Sequence, residues 1–207
     1  MVVDQTTPIL ITSIVRLGAG LVILYAYFKN KNKITLFFSL FLLLFGIQGF
    51  FRLASFNGDL TLYFISKLAL SLSGVLVLLG LSEIGVKWIK KYYVVPTIAI
   101  IFILLSYYSA YILGGVAGEA NNSFLSTLIN MAIGIVLLLA GYCFYILGKN
   151  LPKLGLHVLV FGFALIGFVL TFSFLIIANP GVVYYFAMLG TLMVGVGWWL
   201  SLTYEEP

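Results

Sequence analysis

The chain has 207 residues, of which 63% are hydrophobic and only 8% are charged, and its formal net charge is +5. A soluble domain carries about a quarter of its residues as charged side chains, so this composition excludes one and predicts a membrane protein. The basic residues lie beside long apolar stretches, where they orient helices and meet anionic lipid, and they give no reason to expect a nucleic-acid partner.

Seven apolar stretches predict an all-α integral membrane protein, a seven-transmembrane-helix bundle that forms a single transmembrane domain over residues 1–207. A span needs about 20 residues to cross roughly 30 Å of hydrocarbon, and its backbone groups must be paired within the helix. The predicted helices are 8–28, 34–56, 60–85, 92–114, 124–148, 155–178 and 181–203. Asn57-Gly58-Asp59 is typical of a compact turn, and the small residues of 114–123 predict a flexible loop.

The placement of lysine predicts the orientation of the chain. Eight of the nine lysines lie in the gaps after the first, third and fifth stretches, whereas the alternate gaps carry acidic residues. Because lysine and arginine accumulate in cytoplasmic loops, the N-terminus is predicted to lie outside and the C-terminus in the cytoplasm, with the cell (plasma) membrane as the expected location. These lysines are Lys29, Lys31, Lys33, Lys87, Lys90, Lys91, Lys149 and Lys153.

Three cations lie inside the first three predicted helices. Arg16, Arg52 and Lys67 fall in the half of the membrane predicted to be external, at similar depths, with Lys67 the deepest. An ionisable side chain left facing lipid costs at least about 2.5 kcal/mol, so we expect all three to face the bundle, water or a partner. The helical spacing supports convergence, because Gln48 shares a face with Arg52 and Tyr63 shares one with Lys67.

The first functional hypothesis is a transporter, channel or ligand-binding protein with an outward-facing basic cavity for an anionic small molecule or a lipid head group. Arginine offers a planar fork to such a ligand and lysine a mobile charge. The candidate ligand-binding residues are Arg16, Gln48, Arg52, Tyr63, Lys67, Ser71 and Asn130. The structural alternative is that the arginines reach the outer surface, or that the cations pair with Asp4, Asp59 and Glu119.

The second hypothesis is a non-catalytic sensory or interaction subunit of a larger membrane complex. In this interpretation Gly190, Gly195 and Gly197 form a lipid-facing docking surface beside Trp198 and Trp199. The expected partners under the two hypotheses are membrane lipids, a small anion, and another membrane protein or a second copy of the chain.

An enzyme is the least favoured class. The chain has one histidine, His157, and one cysteine, Cys143, which are too few for a haem or a metal cluster. The seventh stretch contains no lysine that could form a retinal Schiff base. The sequence therefore predicts no catalytic residue, no metal site and no cofactor.

A weak internal repeat would arrange the helices as three, one and three. Residues 20–24 (GLVIL) resemble residues 134–138 (GIVLL), and Lys33 and Lys153 precede corresponding helices. The layout is similar to that of sugar transporters of the SWEET type, but the mid-helix prolines and Pro-Gln pairs of that family are missing, so no family is assigned.

Overall fold

The computed structural model describes residues 5–86, 89, 92–121, 123–147, 153–173 and 180–203. Within these residues the chain is helical and has no strand, and seven of the helices are long and apolar enough to cross a membrane. The predicted all-helical, multi-pass class is confirmed to that extent. The helices are α1 (Thr6–Asn30), α2 (Lys33–Ala54), α3 (Leu60–Glu83), α4 (Val94–Tyr107), α5 (Gly115–Asn121), α6 (Ser123–Leu147), α7 (Lys153–Thr171) and α8 (Pro180–Thr203).

Short turns connect the first three helices. Lys31 ends α1 in the left-handed conformation, with φ of 55°, and the Asn32 side chain caps α2 by accepting a hydrogen bond from the Ile34 N–H. Gly58 has φ of 86°, a conformation that glycine adopts without a steric penalty. Asp59 caps α3 by accepting hydrogen bonds from the next helical N–H groups. The predicted compact turn before α3 is therefore confirmed.

The fourth span ends differently from the prediction. Its α-helix stops at Tyr107 and continues as a π-helical turn over Tyr108–Ile112. Gly114 and Gly115 then adopt positive φ values of 84° and 64°, which turn the chain into α5. The prediction of a flexible loop over 114–123 is wrong, because the two glycines supply the turn and the alanines that follow favour a helix.

The long helices form two rows that contact each other at both ends. In one row α2 packs between α1 and α3, and in the other α7 packs between α6 and α8. Contacts between α3 and α6 and between α1 and α8 join the rows, while α4 packs against α3 and α6. This arrangement is compatible with a repeat of three, one and three helices, which stays a prediction.

Aromatic side chains fill the half of the bundle nearer the lysine-rich gaps, here called the lysine-rich half. Phe38 of α2 lies 5.2 Å from Phe144, 5.4 Å from Phe163 and 5.4 Å from Trp198, measured between ring centroids. All four side chains are buried. Since they come from α2, α6, α7 and α8, this aromatic layer connects the two rows of helices.

Glycines bring α7 and α8 into backbone contact. A Cβ atom on Gly197 would lie 2.5 Å from the Leu159 amide nitrogen, and one on Gly190 would lie 2.6 Å from the Ile166 side chain. Gly195 lies against Ala19 of α1. All three glycines are buried inside the chain. The prediction that they form a lipid-facing docking surface is therefore wrong, because the close contacts that small residues permit are made within the protein.

Candidate functional site

The three cations inside the membrane-spanning helices are buried in the protein. Arg16 exposes 3% of its surface, Arg52 9% and Lys67 4%. They do not extend to the molecular surface as the structural alternative supposed. Of the acids proposed to pair with them, Asp59 directs one carboxylate oxygen to the N–H groups at the start of α3. The side chains of Asp4 and Glu119 lie outside the described residues.

Arg52 and Lys67 meet at the ring of Tyr63. The Arg52 guanidinium carbon is 5.1 Å from the ring centroid and the Lys67 ammonium is 5.3 Å from it, both within the range of a cation–π interaction. Tyr63 is wholly buried, and its hydroxyl shares a hydrogen bond of 3.1 Å with the Ser109 hydroxyl in the π-helical turn. Lys67 reaches the ring because helical side chains point towards the N-terminal turn. We call this pair of cations around Tyr63 the outer level, because it lies nearer the lysine-poor end of the helices, which is predicted to face outward.

Arg16 occupies a separate environment between α1 and α2. Its guanidinium carbon lies 3.5 Å from the centroid of the Phe45 ring, and Nη1 donates a long hydrogen bond of 3.4 Å to the Phe45 carbonyl. Its Nε is buried and has no hydrogen-bond partner. Among the residues that the structure describes, no carboxylate pairs with Arg16. We call this position the inner level.

The register of the helices shows that Arg16 is the deepest of the three cations. The Gln48 amide donates a hydrogen bond of 3.1 Å to the Ser66 hydroxyl. Gln48 of α2 therefore lies at the same depth as Ser66 of α3, the residue before Lys67. Arg16 contacts Phe45, which is three residues, or about 4.5 Å, further from the lysine-poor end of α2. The expectation that Lys67 is the deepest of three cations at similar depths is therefore wrong in its order, since the Arg16 guanidinium lies deeper.

Gln48 and Ser71, which the sequence analysis placed among the ligand-binding residues, take part in helix packing. Ser66 returns a hydrogen bond of 3.1 Å to the Gln48 carbonyl, which links α2 to α3. The Ser71 hydroxyl lies 2.8 Å from that of Ser106, which links α3 to α4. These bonds fix α3, the helix that carries Tyr63 and Lys67. Whether either side chain also contacts a ligand stays a prediction.

Asn130 lies half-buried on α6, apart from the contacts that define the two levels. Helix α6 contacts α3 at Gly74, where the Ile133 side chain would lie 3.0 Å from a Cβ atom added to the glycine. Gly74 is seven residues, about two turns, beyond Lys67 along α3. The predicted role of Asn130 therefore has no support from the contacts around the cations.

Two residues of this region were missed in the sequence analysis. Phe45 covers one face of the Arg16 guanidinium, and Ser109 holds the Tyr63 hydroxyl. A signal for Phe45 was present, since it shares a helical stripe with Gly49 and Arg52 at spacings of four and three residues. Gly49 itself packs directly against Ser13 of α1 and so brings the two helices together. No comparable pattern pointed to Ser109.

Comparisons with known proteins find no matching family description, no matching curated protein and no matching solved structure.

Proposed function

We propose that the chain is a non-enzymatic membrane transport protein that binds a small anion, entering from outside, at its buried cations. The observation that carries this proposal is the meeting of Arg52 and Lys67 at one buried ring. An anion that binds beside the Tyr63 ring would be attracted by both positive charges. Arginine and lysine are also the side chains that bind carboxylates and phosphates through charge-assisted hydrogen bonds.

The alternative role as a sensory or interaction subunit has lost the feature that favoured it. Gly190, Gly195 and Gly197 are occupied by contacts inside the chain. A membrane partner or a second copy would have to bind through some other surface. The anion-binding proposal has side chains of the right chemistry at buried positions, and for that reason we prefer it.

Anion flux into proteoliposomes tests the proposal directly. We expect the purified chain to conduct at least one of chloride, acetate and phosphate, and Arg52→Gln combined with Lys67→Met to reduce that flux at least tenfold, since each charge-assisted hydrogen bond contributes about 1.5–3 kcal/mol. The matched control is Lys29→Gln with Lys31→Gln, which removes the same charge from exposed positions. Flux equal to that of protein-free vesicles, or flux unchanged in the Arg52/Lys67 variant, would refute the proposal.

The proposal also requires that the lysine-poor end faces outward in the plasma membrane, as the lysine distribution predicts. Cys143 is the only cysteine and is buried, so Cys143→Ala provides a cysteine-free background. In intact cells a membrane-impermeant maleimide should label Asn57→Cys, in the exposed turn before α3, and should label Asn30→Cys, at the exposed end of α1, only after lysis. The reverse pattern would show that the anion enters from the cytoplasmic side.

A further inference from the structure

We propose that Arg16 forms a second and deeper binding position that takes an oxyanion, a carboxylate or a phosphate group, side-on through its Nε–H and Nη2–H groups. The inference rests on the proposed function, because the oxyanion would reach Arg16 from the outer level. It adds the chemical class of the anion and the atoms that bind it.

The hydrogen bond and ring contact of the Arg16 guanidinium leave one of its edges without a partner in the part of the chain that the structure describes. The Phe45 ring covers a face of the group at 3.5 Å, and Nη1 is directed to the Phe45 carbonyl. A guanidinium carries five N–H donors in a rigid plane. Nε, which is buried and has no partner, therefore marks the edge that it shares with Nη2.

That edge suits an oxyanion better than a halide. The Nε–H and Nη2–H bonds are nearly parallel, so they match two oxygens of one carboxylate or phosphate group. A spherical halide accepts from the same donors without this match in shape. The inner level is thus expected to bind oxyanions in preference to halides. A positive charge without this geometry would attract both.

The burial of Arg16 supports a ligand at this position. Its side chain is 97% buried, since only 3% of its surface is exposed, and it lies in the middle of a helix that can span the membrane. A buried charge normally has a counter-ion, and a buried donor normally has an acceptor. Among the described residues the only hydrogen bond of Arg16 is the long one to the Phe45 carbonyl. An oxyanion on the Nε edge would provide both the counter-ion and the acceptor.

The two levels suggest an order of binding. Arg52 and Lys67 lie nearer the lysine-poor end, and Arg16 lies beyond them at the depth of Phe45. An anion entering from that end would meet the outer level first. Transfer to Arg16 would exchange contacts with two separate charges for a two-point contact with one guanidinium.

Nuclear magnetic resonance of arginine side chains can test this inference, because Arg16 and Arg52 are the only arginines in the chain. Protein labelled with ¹⁵N-arginine in phosphate-free micelles gives two Nε–H signals, which Arg52→Lys assigns. We expect the Arg16 signal to move saturably when acetate or phosphate replaces chloride at constant sodium concentration, because a new acceptor at Nε changes its environment. Addition of phosphatidylglycerol instead of free phosphate tests a lipid head group as the source of the oxyanion.

A second variant separates this inference from the proposed function. Arg16→Lys keeps the charge and removes the fork, so we expect acetate flux to fall roughly tenfold, the effect of losing one charge-assisted hydrogen bond, with little change in chloride flux. Movement of the Arg52 signal alone would overturn the inference and leave the proposed function standing. An equal response of Arg16 to chloride would overturn its selectivity for oxyanions. If neither signal moved and no flux were found, both would fall.

Discussion

Replacement of Tyr63 by leucine is expected to abolish anion flux and to lower the free energy of unfolding by on the order of 3 kcal/mol, the usual scale for truncating a large buried side chain. Tyr63 is wholly buried and its ring faces both Arg52 and Lys67. Leucine leaves a void and removes the π system that both cations contact. Flux into proteoliposomes and thermal unfolding of the purified protein measure the two effects.

Tyr63→Phe is the matched control for the leucine variant. It keeps the aromatic ring and loses only the hydroxyl that shares a hydrogen bond with Ser109. We expect a loss of about 1–3 kcal/mol in the free energy of unfolding, because the Ser109 hydroxyl loses its partner, and we expect most of the flux to remain. Equal flux in the leucine and phenylalanine variants would show that the ring does not organise the cations.

Gly197→Leu is expected to prevent the correct packing of α7 against α8. Even the Cβ of the new side chain would lie 2.5 Å from the Leu159 amide nitrogen and 2.8 Å from the Gly155 carbonyl oxygen. These are backbone atoms and cannot move aside like a flexible side chain. The loss in free energy of unfolding should exceed the roughly 1–3 kcal/mol typical of overpacking. The yield of monodisperse protein and its unfolding temperature should both fall sharply.

Gly18→Leu is the control for Gly197→Leu, because Gly18 also lies in a long apolar helix. Apart from its chain neighbours and the backbone of its own helix, no atom lies within 4 Å of a Cβ built on Gly18, which is exposed on α1. We expect this variant to fold as well as the unmodified chain, since leucine favours a helix more than glycine does. Comparable instability of the two leucine variants would argue against the close contact between α7 and α8.

The secondary structure was largely accessible from the sequence, because uncharged stretches of this length have only one stable conformation in a bilayer. The predicted helix at 60–85 agrees with Leu60–Glu83, and that at 181–203 agrees with Pro180–Thr203. The π-helical turn at Tyr108–Ile112 and the helix α5 were missed. The helix α5 follows the positive-φ turn at Gly114 and Gly115, and hydropathy reports neither this turn nor the π-helical one.

The candidate site was only partly accessible. The cost of a charge in lipid predicted that Arg16, Arg52 and Lys67 would face the bundle, water or a partner, with surface-reaching arginines as the alternative, and the structure buries all three. Their separation into two levels depends on the register between helices, and a periodicity within one helix contains no information about that register. The sequence also misplaced Gly190 and Gly197 on a docking surface. A small residue allows close contact with a helix of its own chain as readily as with a partner, and the sequence does not distinguish the two.

The aromatic layer has a consequence for the electrical insulation of the membrane. The Phe38 ring contacts those of Phe144, Phe163 and Trp198, and Phe144 stacks on Phe163 at 5.6 Å with only 6° between the ring planes. The phenyl rings of this layer offer an ion neither water nor a hydrogen-bond partner. Under the proposed function, an anion that passes through this layer would do so only when these rings change rotamer or their helices move apart.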